Sequence, residues 1–269
     1  MTGVEALVTP QPWLTTKAKL ADHQAPLTVL CDLDGPLIDV SQRYYKTYQL
    51  ALAETQSLYR SQNLSLLLTP LRLDQFWQMK QSKYPDQEIA LASGLGVEQV
   101  EIFLSQVQRL VNQPLLLRED LLQPGVHASL QQLQEMRARL VVVTLRCQAQ
   151  AVQLLEQYQL SHFFTFIRGT RDHQAAYQNY ALYKQALLEE ILACLGPSSP
   201  EQHFWMIGDT EADIIAAQAM NIKTIALTCG MRNQAFLEPL QPTSIQSNLA
   251  AATRYLLESS IRYPEQPSR

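Results

Sequence analysis

Two aspartates separated by one residue and followed by a glycine, Asp32-Leu33-Asp34-Gly35, stand directly after the apolar, β-rich run from Leu27 to Cys31. Carboxylates this close repel and raise each other's pKa unless a cation or hydrogen-bond donors compensate. Such a pair suits acid-base and nucleophilic work on a substrate, or the holding of a hard cation. Taken alone, the DxDG stretch is no less expected as a strand-terminating turn. A second acidic group, Asp209, Glu211 and Asp213, follows another apolar run at 204–208. By themselves these residues suit a helix N-terminus, through capping and the favourable dipole. Together, two strand ends bearing Asp32, Asp34 and Asp209 form an oxygen-ligand set for Mg2+, a cation that keeps several waters and binds substrate phosphate.

The elements that must position these groups follow from the patterning. Apolar, β-rich runs at 27–31, 140–144, 163–167, 204–208 and 223–227 alternate with helical patterns at 127–138, 150–159, 180–195 and 211–220. The alternation predicts an α/β fold with a parallel sheet covered by helices on both faces. Ligands of such sheets bind beyond the carboxyl ends of the strands, where the strand order reverses, and that is where the acidic residues fall. The first two strands are separated by a long insertion, in which 44–59, 73–83 and 97–111 all carry helical spacing of apolar residues. The division expected is an N-terminal extension over 1–26, a catalytic core over 27–44 and 121–269, and a small helical domain over 45–120. Phe76 and Trp77 are expected in the core of that insert. Arg43, Arg72, Lys80 and Lys83 read as exposed surface charges that are also placed to meet an anionic substrate.

The composition narrows the partner class. A formal net charge of −4 over 269 residues leaves no basic excess for phosphate backbones or anionic lipid, so a small molecule is expected rather than nucleic acid or membrane. The first 26 residues hold no basic segment followed by an apolar core, and a cytoplasmic location is expected. Cys31, Cys147, Cys194 and Cys229 form no CxxC pair and read as reduced, buried thiols.

Four motifs in order, "DLDGPLID" (32–39), "VVVTLR" ending a strand with Thr144, Lys184 on a later helix, and "GDTEAD" (208–213), give the chain a resemblance to haloacid dehalogenase (HAD)-superfamily phosphohydrolases. It is similar to the phosphoglycolate phosphatase-like branch, which carries a helical cap between the first and second motifs. The resemblance implies a Rossmannoid three-layer core with strand order 5-4-1-2-3 and an all-helical cap. It makes Asp32 the nucleophile and Asp34 the general acid/base. Mg2+ would be held by Asp32, the backbone carbonyl of Asp34 and Asp209, with Asp213 close by through water or behind the first ligands. Thr144, Leu145 and Lys184 would contact the phosphate.

Lys184 is the only lysine between Lys83 and Lys223, and an arginine such as Arg171 is the alternative in the role. After Thr144 the chain departs from the usual small or amide residues with Leu145-Arg146, and Arg146 either brings charge to the site or points to solvent. The activity implied is Mg2+-dependent hydrolysis of a small-metabolite phosphomonoester through an aspartyl-phosphate, by a monomer or weak homodimer. The alternatives are a sugar phosphomutase of the same superfamily and a non-catalytic HAD-fold binding protein.

Overall fold

The structure is a computed structural model that describes residues 27–196 and 203–262; the N-terminal extension expected over 1–26 lies outside them. Its centre is β1 (Leu27–Cys31), whose five residues are all buried, as a strand covered on both faces requires. β1 pairs in parallel with β4 (Arg139–Cys147) on one side and β6 (His203–Gly208) on the other, with Val29 opposite both Leu140 and Trp205. β5 (Phe166–Thr170) continues the sheet beyond β4, and β7 (Lys223–Leu227) and β8 (Ser244–Gln246) continue it beyond β6. The order is therefore β5-β4-β1-β6-β7-β8, all parallel.

This is the expected order of five strands extended by a sixth at its edge. β8 escapes the sequence reading because Ser-Ile-Gln offers one apolar residue in three and is half-buried throughout. The strand expected at 163–167 lies at Phe166–Thr170 instead. Phe163 closes a single 3-10 turn, and Phe164 is buried without belonging to a strand, so that apolar run reports burial more than extension.

Side chains alternate across the sheet and split its core in two. Leu30, Val141, Val143 and Met206 face α9 (Ala181–Leu195) and α10 (Glu211–Ala219), which contribute Leu188, Ile191, Ala212 and Ala216. Val29, Cys31, Leu140, Val142 and Ile207 lie on the other face. There they join Leu130 and Leu133 of α6 (Val126–Glu135), Leu155 of α7 (Gln148–Gln157), and Ala252 and Leu256 of α12 (Leu249–Arg262). Cys31 and Cys147 are buried and Cys229 is half-buried, whereas Cys194 is exposed near the end of α9, against the expectation for it; all four are free thiols.

Between β1 and β4 the chain forms a short antiparallel pair, β2 (Ile38–Asp39) with β3 (Leu121–Leu122), and five helices between them. These are α1 (Ser41–Ser61), α2 (Leu73–Gln81), α3 (Asp86–Ala92), α4 (Val97–Leu110) and α5 (Pro114–Leu117). α1 starts ahead of the boundary expected at 45 and buries Tyr44, Tyr48, Ala51, Leu52 and Thr55, the i, i+4, i+7, i+8, i+11 stripe of a helix with one covered face. Tyr48 stacks on Phe76 of α2 at 4.9 Å and meets Phe103 of α4 edge-on at 6.3 Å. Phe76 is buried as expected, and Trp77 is partly buried beside it. Among the described residues no helix is long and apolar enough to cross a membrane.

Phe103 is enclosed by this aromatic cluster, so Phe103→Ala should cost about 3–5 kcal/mol through lost burial and an unfilled cavity. Urea unfolding should show a lowered midpoint at unchanged m-value. A midpoint equal to wild type would show that the cluster does not pack in solution as described.

Candidate active site

The carboxyl ends of β1, β4 and β6 meet at one point. Asp32 follows β1 directly, and its backbone N–H continues the sheet by donating to Ile207 O of β6 at 2.9 Å. Asp209 follows β6, and Asp213 lies in the first turn of α10. These three carboxylates are buried, with one oxygen from each lying within 4.8 Å of the others. Lys184, buried on α9, is the ammonium among them: its Nζ lies 2.9 Å from Asp32 Oδ1 and 2.7 Å from Asp213 Oδ1, and donates to Val143 O at 2.9 Å. Arg171, the substitute considered for it, is exposed.

The electrostatics follow from crowding. Burial pushes Asp32 up to about 7; Lys184 pulls it back, while Asp213 and Asp34 add repulsion. Burial, Asp213 and Asp32 raise Asp209 well above the usual carboxylate range. Burial works against the charge of Lys184, but Asp213 and Asp32 outweigh it and raise the pKa of the ammonium.

Three glycines allow the approach. Gly35 has φ +91°, a conformation that L side chains rarely adopt, and a Cβ there would lie 2.2 Å from Asp209 Cγ. A Cβ on Gly230 would meet Asp209 Oδ2 at 2.0 Å, and one on Gly208 would meet Asp213 at 2.3 Å.

The fit to a divalent cation rests on Asp209. Its Oδ2 accepts the Met231 N–H at 2.5 Å, but its Oδ1 is buried with no hydrogen-bond partner among the described residues. An orphaned carboxylate oxygen beside a second carboxylate is what a hard cation would satisfy. Asp213 is occupied differently. Its Oδ2 accepts from Asp209 N at 3.2 Å, Thr210 N at 3.1 Å and Thr210 Oγ1 at 2.8 Å, so it caps α10 while Lys184 holds its other oxygen. Capping and site-building are here performed by one residue.

Asp32 and Asp34 share a cavity of about 130 Å3, which Thr144, Leu145, Arg146 and Asn179 also line. The insert supplies Tyr44, Lys80, Lys83, Tyr84 and Asp86 to the same cavity. Lys80 pairs with Asp86 at 2.8 Å and sits over the rings of Tyr44 and Tyr177, at 5.4 and 5.6 Å; the Tyr177 hydroxyl also donates to Asp86. Lys83 reaches Glu211 of the core at 2.8 Å, and Arg232 grips the same carboxylate with two contacts of 2.8 and 3.1 Å. Arg72 is the exposed charge expected, paired with Asp74 on the surface.

One other expectation needs correction and one open alternative is decided. Arg43 is about 2% exposed and is not a surface charge, and Arg146, about 3% exposed, brings its charge to the site rather than to solvent. Arg146 grips the Asp34 carboxylate through Nε and Nη2, and both arginines pair with Asp120, a residue the sequence reading did not single out. Nothing local distinguishes Asp120 within "LRED"; its partners lie 77 and 26 residues away.

The sequence model of the haloacid dehalogenase-like hydrolases matches residues 29–227, from β1 to the end of β7. The chain belongs to that family. The hydrolase is 23% identical over 218 residues to a protein of Oceanobacillus iheyensis named pyrophosphatase PpaX, covering 81% of this chain and 91% of that one. Its fold is similar to that of a predicted phosphatase from Clostridium acetobutylicum, with a TM-score of 0.61 and 21% identity, covering 86% of the hydrolase and 98% of that chain. It also resembles a haloacid dehalogenase-like hydrolase from Streptococcus pneumoniae, with a TM-score of 0.58 and 21% identity over 86% and 99% of the two chains.

Glu211 ties the insert to the core, and its charge sets a pH dependence. Burial alone would raise its pKa, but the Arg232 hydrogen bonds and charge, joined by Lys83, hold it at about 2, against an ordinary 4.5. A depressed carboxylate contributes stability that is present above pH 4.5 and lost as pH falls towards 2. The difference is worth at most about 3.5 kcal/mol, at about 1.4 kcal/mol per pH unit. Urea midpoints taken from pH 5 down to about 2 should fall less steeply for Glu211→Gln than for wild type; parallel curves would show that the pairing contributes nothing.

Proposed function

We propose that the hydrolase removes the phosphoryl group of a small phosphorylated metabolite through an aspartyl-phosphate on Asp32. The observation that carries this reading is the shared cavity in which buried Asp32, paired with Lys184, stands beside Asp34. An Asp32 carboxylate oxygen attacks phosphorus as the bond to the leaving oxygen breaks, and Asp34 gives that oxygen its proton. Asp34 then takes a proton from water, whose oxygen attacks phosphorus and releases phosphate and free Asp32. Lys184 and Thr144, with backbone donors near Leu145, hold the phosphoryl oxygens, since this chemistry depends mainly on positioning and charge neutralisation.

Asp32, Asp209 and the Asp34 carbonyl would hold Mg2+, with Asp213 behind them. When bound, the cation supplies positive charge against the phosphoryl oxygens and the crowded carboxylates.

The helical insert acts as a cap. Lys80, Lys83 and Tyr84 bound the cavity from its side, and about 130 Å3 suits a small leaving group rather than a macromolecule. The working form proposed is a monomer or weak homodimer. The four free thiols fit a reducing, cytoplasmic setting.

Two measurements test the reading. Mg2+ should raise the melting temperature of the wild-type protein, and Asp209→Ala should remove most of that rise; an undiminished response would reject the ligand assignment. Rapid-quench mass spectrometry should detect one added phosphoryl group on wild-type protein turning over p-nitrophenyl phosphate and none on Asp32→Asn. Turnover by Asp32→Asn at the wild-type rate would remove Asp32 from the nucleophile's role.

A further inference from the structure

We propose that Arg146 is the positioning residue that aims the Asp34 carboxylate in the active cavity, and that Asp120 and Arg43 fix Arg146 in that pose. The inference rests on the phosphatase reading, in which Asp34 carries the proton.

The backbone places Arg146 there by a local irregularity. β4 and β5 pair Val143 with Arg168 and next Cys147 with Thr170, so residues 144–146 stand opposite Gly169 alone. A bulge of this kind redirects side chains and is favoured beside active sites. Gly169 is required by it, because a Cβ there would lie 2.6 Å from Arg146 O. The Thr144 hydroxyl closes the bulge by accepting the Arg146 N–H at 3.1 Å.

The side-chain geometry is a two-point grip. Arg146 Nε donates to Asp34 Oδ1 at 3.0 Å and Oδ2 at 3.2 Å, and Nη2 donates to Oδ1 at 2.7 Å. The terminal torsion of a carboxylate is otherwise broad, and a planar guanidinium bound at two points fixes it. Nη2 also donates to Asp120 Oδ2 at 2.7 Å, and Arg43 Nε donates to Asp120 Oδ1 at 2.8 Å. Asp120 is anchored in turn by its carbonyl, which accepts the Tyr158 hydroxyl at 2.8 Å. Arg43 Nη2 completes the ring 3.6 Å from Asp34 Oδ2.

With both aspartates ionised, the two arginines and two aspartates make a neutral group that adds no net charge to attract phosphate. The Arg146 donors named here are already engaged by carboxylates. Holding Asp34 is what remains for Arg146 to do at the cavity wall that both residues line. The other two members come from the segments entering and leaving the insert: Arg43 lies in the first turn of α1 and Asp120 just before β3. The pose of Asp34 is thereby tied to the seating of the insert.

The test compares phenyl phosphate with p-nitrophenyl phosphate, whose better leaving group needs little protonation. Single-turnover rates of the full chain with Mg2+ are measured for wild type, Asp34→Asn, Arg146→Lys and the double variant, alongside melting temperature and Mg2+ affinity. Arg146→Lys keeps the buried positive charge and loses the two-point grip. With general acid catalysis worth roughly 10²–10⁴-fold, its loss on phenyl phosphate should exceed that on p-nitrophenyl phosphate by about tenfold or more. Mg2+ affinity should be unchanged, and the double variant should be no slower than Asp34→Asn alone.

Equal losses on both phosphates, or additive losses in the double variant, overturn the proposal, because a purely structural role lowers both rates alike. If Asp34→Asn itself loses equally on both, the assignment of Asp34 as proton carrier falls first and the role of Arg146 with it. Asp120→Asn, one contact further out, should repeat the leaving-group effect in weaker form, and it decides the matter if Arg146→Lys does not fold.

Discussion

The Lys184 ammonium faces Asp32 at 2.9 Å and Asp213 at 2.7 Å in a space that also admits Asp209, and this excess of buried negative charge conditions everything around it. Charges taken out of water must be paired or hydrogen-bonded, or they take up protons. The fold responds by aiming backbone N–H groups of Asp209, Thr210 and Met231 at the carboxylates. It also removes side chains at Gly35, Gly208 and Gly230, where a Cβ would collide with Asp209 or Asp213. What those donors leave unsatisfied, above all Asp209 Oδ1, is where a cation fits.

Around this cluster lies a second arrangement with the opposite character. Arg43, Arg146, Asp34 and Asp120 balance one another, and their contacts join segments that are remote along the chain. A balanced buried network contributes more to defining a geometry than to net stability, since desolvation offsets much of the attraction. The unbalanced cluster, with three carboxylates around one ammonium, therefore suits a hard cation, and the balanced one suits holding a neighbouring carboxylate still. The separation between them is short in sequence: Asp32 and Asp34 belong to different networks with one residue between them.

The insert is held by more than packing. Gln81 donates to Gly230 O at 2.9 Å, and Asn233 contacts both Gln81 O and Ser82, so the end of α2 is fastened to the loop whose Met231 N–H reaches Asp209. Glu211, at the start of α10, is gripped from the insert by Lys83. Movement of the insert would thus be felt at the acidic cluster through a few residues, whereas its aromatic interior around Tyr48 would travel as a unit.

Much of this was legible along the chain. Four of the five expected strands are apolar, β-rich runs long enough to specify a covered strand, and the acidic residues at their ends are placed by the strand itself, so Asp32 and Asp209 follow from local pattern, whereas Lys184 beside Asp32 follows from the family resemblance. Local pattern fails where an element owes its state to neighbours. β8 is a strand because β7 lies beside it, and Phe164 is buried without being in one. The partners of charged residues are the clearest case. Arg43 and Arg146 carry no periodic mark that tells a buried arginine from a surface one, because the carboxylates that neutralise them lie up to 112 residues away. Burial of a charge is decided by which opposite charge the fold brings within hydrogen-bonding distance, and only the tertiary structure decides that.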